Sequence, residues 1–110
     1  MGLFDGLIGG MVGAEMVTVV NRLIEKHGGM QGVVNQLQSG GLGPTVRTWV
    51  AEGQNAPVSA GEVHQAFGDQ TINELAAKAG MSPQELTEKL ATVLPLVVDQ
   101  STPGGSIPKS

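Results

Sequence analysis

The side chains best suited to metal binding or acid–base catalysis are two histidines, His27 and His64. Neither has a carboxylate or a second histidine at a ligand-like interval on its own helix face. Because a metal site needs several convergent ligands, we interpret both as surface histidines. The chain also lacks cysteine, and no Ser–His–acid arrangement stands out. We therefore predict no metal, no cofactor and no enzymatic activity.

A glycine-rich stretch, GGLGPT at residues 40–45, has a composition suited to a phosphate-binding loop. It lacks the Gly-Lys-Ser/Thr ending of a P-loop, and no predicted strand precedes it. We interpret it as a turn between two helices, with Pro44 suited to the first position of the second helix.

The charge distribution disfavours a nucleic-acid partner. The net charge is −4, and the six basic residues are scattered along the chain without a cluster. They are Arg22, Lys26, Arg47, Lys78, Lys89 and Lys109. Because binding to a polyanion depends on clustered lysine and arginine, we expect no DNA partner.

One motif nevertheless has the spacing of a helix-turn-helix. Residues 75–82, LAAKAGMS, are followed by Leu86 and Leu90, so a glycine lies in the turn and Ser82 caps the second helix. In a DNA-binding protein the early residues of that helix contact bases. The positions concerned are Gln84, Glu85, Thr87, Glu88 and Lys89. Two carboxylates would oppose DNA, so we prefer a hairpin used for packing, with a DNA-associated regulator using residues 72–94 as the alternative.

The most distinctive segment is residues 1–13, MGLFDGLIGGMVG. At 100° per residue its large apolar side chains fall on one face of a helix and its glycines on the opposite face. Each glycine in a helix costs roughly 0.8–1 kcal/mol relative to alanine, so this helix needs another surface. We expect that surface to be a second copy of the chain, giving a homo-oligomer, or another protein. The predicted interface residues are Gly2, Leu3, Phe4, Gly6, Leu7, Ile8, Gly9, Gly10, Met11 and Gly13.

The phase of the apolar pattern supports this prediction. On one continuous helix the apolar face of residues 3–12 is rotated by roughly 170° from that of residues 16–24. Either the helix breaks between Gly9 and Gly13, or its first half turns its apolar side away from the surface that the second half covers. Docking onto the same domain, disorder and attachment to a membrane surface are the other interpretations. The last is disfavoured because interfacial peptides normally carry Lys or Arg, and the first basic residue here is Arg22.

The rest of the chain predicts helices separated by glycine and proline. Periodicity and capping signals indicate helices over residues 14–27, 30–38, 44–52, 59–67, 72–79 and 83–100. We predict an all-α fold, a compact bundle of about six short helices that includes the helix-turn-helix. The predicted organisation is an association segment at 1–13, a helical domain at 14–100 and a flexible tail at 101–110.

Several single residues refine this prediction. Ser59 and Ser82 each have a glutamate three positions later, which is the spacing of a capping box. Asp69 or Thr71 is suited to cap the fifth helix, and Pro95 should kink or restart the sixth. Trp49, the single tryptophan, could anchor an interface, but in a chain poor in aromatic residues we place it at the centre of the core.

The apolar start does not have the pattern of an export signal. No basic region precedes the apolar run, and Asp5 and Glu15 prevent a run of about 18 apolar residues that could span a bilayer. We expect a cytoplasmic protein.

Several stretches together resemble one known family. They are MGLFD at 1–5, QSGGLG at 38–43, TWV at 48–50, GQN at 53–55, PVS at 57–59, LP at 94–95 and STPGG at 101–105. These are similar to the YidB-like family of small bacterial proteins over nearly the whole chain. The resemblance implies an all-helical fold in which some helices are arranged like a homeodomain. It implies no activity and no site residues, because the family's function is unknown. The base-reading asparagine and basic arm of a homeodomain have no evident counterpart in residues 84–89.

Overall fold

The chain is built from α-helices joined by short turns. The computed structural model describes residues 9, 10, 12–50 and 54–101. The helices are α1 (Ala14–Lys26), α2 (Met30–Leu37), α3 (Gly43–Val50), α4 (Ala60–Phe67), α5 (Asp69–Ala79) and α6 (Pro83–Ser101). The described residues contain no β-strand. The predicted all-α class is confirmed, and the six predicted helices are present within a few residues of their expected ends.

Local hydrogen bonds set the predicted starts of two helices. The Ser59 hydroxyl accepts from the Glu62 N–H at 3.1 Å, and the Glu62 carboxylate accepts from the Ser59 N–H at 2.9 Å, which completes a capping box before α4. The Ser82 hydroxyl accepts from the Glu85 N–H at 3.1 Å and caps α6. The Glu85 carboxylate lies 3.4 Å from Lys89 Nζ, so this residue contributes to an ion pair within α6.

Two predictions about helix ends were wrong. The fifth helix begins at Asp69, after Gly68 at φ +89°, with no side-chain cap, so neither Asp69 nor Thr71 caps it. Of the two outcomes predicted at Pro95, a kink or a restart, the restart is wrong, because the sixth helix runs on to Ser101. Buried side chains on both sides of the proline, Leu94 and Val97, hold the two halves of α6 against one core.

Trp49 lies at the centre of the core, as predicted. Its side chain is completely buried, and its indole N–H donates to the Ala56 carbonyl at 2.8 Å. The Ala56 N–H donates to the Thr48 hydroxyl at 2.8 Å. Both backbone groups of Ala56 are therefore fastened to α3. The other helices contribute fully buried side chains to the same core, among them Met16, Leu37, Val63, Ile72 and Leu90.

The first part of the glycine-rich stretch, residues 40–42, is a turn between α2 and α3, as predicted, whereas residues 43–45 begin α3. Residues 38–42 form a kink in which Gly41 has φ +92°, a conformation that favours glycine. Gly40 packs so tightly on α4 that an added Cβ would lie 2.5 Å from Ala66 Cα. The two glycines therefore serve different purposes, one conformational and one steric.

The helices form a single bundle around α6, which packs against α3, α4 and α5. Helix α1 lies against α2 and α5. Its buried face is Met16, Val19, Val20 and Leu23. Val17 and Ile24, which the periodicity places inward, are only half-buried. One flank of α1 therefore carries partly exposed apolar side chains and the other borders α5.

Candidate functional site

The predicted interface lies mostly outside the part of the chain that the structure describes. Gly2, Leu3, Phe4, Gly6, Leu7, Ile8 and Met11 lie outside it, whereas Gly9, Gly10 and Gly13 are described. Gly9, Gly10 and Val12 are helical, and the Gly13 N–H donates to the Gly9 carbonyl at 3.3 Å. Gly9, Gly10 and Val12 thus belong to a helical turn that precedes α1.

The chain changes direction at Gly13, between this turn and α1. Its backbone has φ +107° and ψ 157°, a conformation outside both helical regions that side chains rarely permit. The Met16 N–H then donates to the Gly13 carbonyl at 3.1 Å and starts the first turn of α1. Of the two outcomes that the sequence left open, a break between Gly9 and Gly13 is therefore confirmed.

The surroundings of the turn differ between its sides. Val12 is half-buried and packs against the core, and a Cβ added to Gly9 would lie 4.0 Å from Val17 Cγ2. Gly10 is exposed, and nothing lies within 4 Å of an added Cβ there. The turn is therefore attached through Val12, while Gly10 presents bare backbone within the described residues.

An ion-pair network ties the start of α1 to α6. Lys89 Nζ lies 3.4 Å from Glu15 Oε1 and 3.4 Å from Glu85 Oε2. A hydrogen bond from its own backbone and the Lys89 ammonium lower the pKa of Glu15. Desolvation alone would lower the pKa of Lys89, but hydrogen bonds to Glu85 and Glu15 outweigh it and raise that pKa. The junction is therefore held by charge as well as by Val12.

The two histidines are engaged in separate contacts. His27 Nδ1 lies 2.8 Å from the Leu23 carbonyl oxygen, and its ring packs edge-on against Phe67 at 5.4 Å between centroids. His64 Nε2 bonds the Asp69 carboxylate, a contact between α4 and α5. Both histidines are half-buried at the surface. Among the described residues no group of three or more His, Cys, Asp and Glu is placed to hold a metal ion.

A charged groove between α1 and α5 is a feature that the sequence analysis missed. It has a volume of about 350 Å³ and is lined by Arg22, Glu25, Lys26, Glu74, Leu75 and Lys78. The prediction that basic residues are scattered was wrong for positions 22, 26 and 78, which share this groove. The spacing of four residues between Arg22 and Lys26 places both on one face of α1, and this part of the groove could have been predicted from the sequence. The approach of Lys78 depends on how α5 packs.

The helix-turn-helix is present, but its predicted DNA-contacting face is altered. Gly80, left-handed at φ +70°, makes the turn between α5 and α6. Thr87 is buried, and its hydroxyl donates to the Pro83 and Gln84 carbonyls at 3.0 Å, so it was wrongly placed among the base-contacting positions. Lys89 forms ion pairs with two carboxylates. The remaining predicted base-contacting positions, Gln84, Glu85 and Glu88, are exposed.

Comparison with known proteins places this bundle in a family. The family model described as YidB-like protein matches residues 1–110 of the chain. The chain belongs to the YidB-like family. A relative from Escherichia coli (strain K12), "Uncharacterized protein YidB", is 33% identical over 110 residues, and the match covers 97% of this chain and 83% of the relative.

The YidB-like fold also matches a solved structure. The homeodomain-like protein of unknown function S4005 from Shigella flexneri superposes with a TM-score of 0.79 at 29% sequence identity, over 96% of this chain and 85% of that chain. The family resemblance and the homeodomain-like arrangement of helices are thereby confirmed. Because one fold hosts many functions, this arrangement assigns no activity to the YidB-like chain. No helix in the described ranges is long and apolar enough to cross a membrane, and the cytoplasmic location stays a prediction.

Proposed function

We propose that this YidB-like protein is a non-enzymatic helical interaction module that self-associates through residues 2–13. The observation that carries the proposal is the break at Gly13, where φ is +107°. Because the chain changes direction at Gly13, the apolar face that the sequence predicts for residues 3–12 does not have to continue the direction of α1. The segment can then meet a surface other than the one that α1 covers.

The composition of the segment favours a protein surface. Leu3, Phe4, Leu7 and Ile8 are large apolar residues, and burying one such side chain contributes roughly 1.5–3 kcal/mol. Gly10, which is exposed with open space at its Cβ position, allows a partner's backbone to approach closely. Both faces of the segment therefore suit contact with another chain.

The contacts of the two histidines support the non-enzymatic part of the proposal. Within the described residues His27 and His64 each have a structural partner, the Leu23 carbonyl and the Asp69 carboxylate. His27 follows the end of α1 and His64 lies on α4, and their side-chain hydrogen bonds share no partner. The proposal accordingly names no catalytic residue, cofactor or metal.

The test is the assembly state of the full chain and of two segment variants, Phe4→Asp and Leu7→Asp. Size-exclusion chromatography with light scattering at micromolar concentration should show an oligomer for the wild type and a monomer for both variants. Asn21→Asp adds the same charge on an exposed position of α1 and should leave the oligomer intact. A wild-type monomer, or segment variants that stay assembled, would refute the proposal.

The alternative function is a DNA-associated regulator using residues 72–94. The observation in its favour is the helix-turn-helix formed by α5, Gly80 and α6. Against it stand the exposed Glu85 and Glu88, since affinity for DNA depends largely on neutralising phosphates. A mobility-shift assay at low salt decides between the two: retarded DNA would support the alternative, and free DNA would exclude it.

Peripheral attachment to a membrane surface is the least favoured partner assignment. Residues 1–13 contain no Lys or Arg, whereas interfacial helices normally carry them on the polar face. Co-sedimentation with anionic liposomes should leave the protein in the supernatant.

A further inference from the structure

We propose that the groove between α1 and α5 receives residues 3–8 of a second copy of the chain, with Asp5 placed between Arg22 and Lys78. This inference rests on the proposed function and names the surface that the segment binds.

The groove has charged walls and a small apolar floor, to which Leu75 contributes throughout and Val19 and Ala79 at one end. Its main part, about 350 Å³, continues into a narrower part of about 140 Å³ toward Glu15. Arg22, Leu75 and Lys78 line both parts, so the two form one channel along α1. The narrower part adds Val19 and Ala79, which gives the channel an apolar floor suited to leucine, isoleucine or phenylalanine side chains.

The charges in the groove leave two cations without partners. Lys26 Nζ lies 3.7 Å from Glu74 Oε1, and Glu15 is paired with Lys89. Arg22 and Lys78 are exposed and form no ion pair with any residue that the structure describes. Glu25 is the one carboxylate in the lining without such a pair. The groove thus has a local excess of one positive charge on a chain whose net charge is −4.

The opening segment has the complementary chemistry. Asp5 is its single Asp, Glu, Lys or Arg among residues 1–13, and it lies between the apolar pairs 3–4 and 7–8. An acid flanked by apolar side chains matches a groove that has two unpaired cations in its walls and Val19, Leu75 and Ala79 in its floor. By contrast, the groove between α4 and α6, about 600 Å³, has neither lysine nor arginine in its described lining.

The direction of the chain favours the groove of a second copy over the chain's own groove. Gly9 faces Val17, whereas Glu15, Thr18 and Arg22 face the groove. Positions 17 and 22 are roughly 140° apart around a helix, so Gly9 lies on the side of α1 away from the groove. An eight-residue helix is about 12 Å long and cannot wrap around α1, itself about 10–12 Å across. Reciprocal exchange between two copies would close a two-fold dimer.

Charge reversal tests this pairing in the full chain. We expect Asp5→Lys, Arg22→Glu and Lys78→Glu each to weaken self-association about tenfold, because each places like charges together. Combining Asp5→Lys with both Arg22→Glu and Lys78→Glu should restore the dissociation constant to within about threefold of the wild type, because the charge on each side of the pairing is then reversed. Arg47→Glu makes the same charge change at an exposed site on α3 and should have no effect. Sedimentation velocity gives the dissociation constants, and circular dichroism checks folding.

The outcomes separate this inference from the proposed function. A monomeric wild type would overturn both. An oligomeric wild type in which Arg22→Glu and Lys78→Glu assemble as well as Arg47→Glu would overturn the groove alone.

A cysteine cross-link gives an independent readout, since the chain has no cysteine. Mixing a Gly6→Cys chain with an Ala79→Cys chain under mild oxidation should give a disulfide-linked pair of the two variants. Gln31→Cys, an exposed position on α2, replaces Ala79→Cys as the control and should give none. If the chain carrying both Gly6→Cys and Ala79→Cys forms only an internal disulfide, the segment occupies its own groove and the inference is wrong.

Discussion

Replacing Gly40 with alanine should destabilise the fold through steric conflict. The added Cβ would lie 2.5 Å from Ala66 Cα and 2.7 Å from Ala66 Cβ, whereas carbon atoms in contact are roughly 3.5–4.0 Å apart. A backbone atom cannot rotate away, so the turn must move off α4. The bond from Gln36 Nε2 to the Ala66 carbonyl, 2.8 Å long, would lengthen with it. Overpacking costs about 1–3 kcal/mol and a weakened hydrogen bond about 1 kcal/mol, so we expect a loss of about 2–4 kcal/mol.

Urea unfolding followed by circular dichroism measures this loss, and the same turn supplies two controls. Gly43 has φ −51° and open space at its Cβ position, so Gly43→Ala should be neutral or stabilise by up to about 1 kcal/mol. Gly41 also has open space but φ +92°, so Gly41→Ala should cost about 1–2 kcal/mol through backbone strain. Equal midpoints for Gly40→Ala and Gly43→Ala would refute the steric explanation.

Three further predictions concern other contacts. Trp49→Phe should lower the free energy of unfolding by about 2–4 kcal/mol, because it opens a cavity and leaves the Ala56 carbonyl unpaired; urea unfolding should show this loss, and an unchanged midpoint would contradict it. Ser59→Ala should cost about 1 kcal/mol, and Ser59→Gly less, because the capping hydroxyl is lost; thermal unfolding of both variants gives the order. The Glu15–Lys89 pair should stabilise the fold at neutral pH. Its Glu15 contribution should fade as the pH falls through the lowered pKa, below 4.5, and its Lys89 contribution as the pH rises through the raised pKa, above 10.5. Unfolding of Glu15→Gln beside the wild type across this pH range checks both signs.

The helices could be predicted because their signals are local. Three kinds of signal act within a few residues, so the sequence alone locates them. They are the glycines after His27 and Ala79, the capping box at Ser59 and the apolar periodicity. Trp49 was predictable for another reason: a chain with 3% aromatic residues has few side chains large enough to fill the centre of its core.

The remaining features depend on packing between distant parts of the chain. The groove exists because α5 brings Lys78 beside Arg22, and no periodicity within either helix specifies that approach. Thr87 is buried because its hydroxyl bonds the preceding turn, which lets a polar residue face the core. The different roles of Gly40 and Gly41 follow from the position of Ala66 on α4, 26 residues beyond Gly40 in the sequence.

The most direct test of the central claim compares the mass of the full chain with that of a chain beginning at Ala14. Sedimentation equilibrium over a concentration series, with circular dichroism to check that the helices are retained, measures both. Self-association through residues 2–13 predicts an oligomer for the full chain and a folded monomer for the shortened one. The same number of subunits in both chains, whether they are monomeric or assembled, would contradict it.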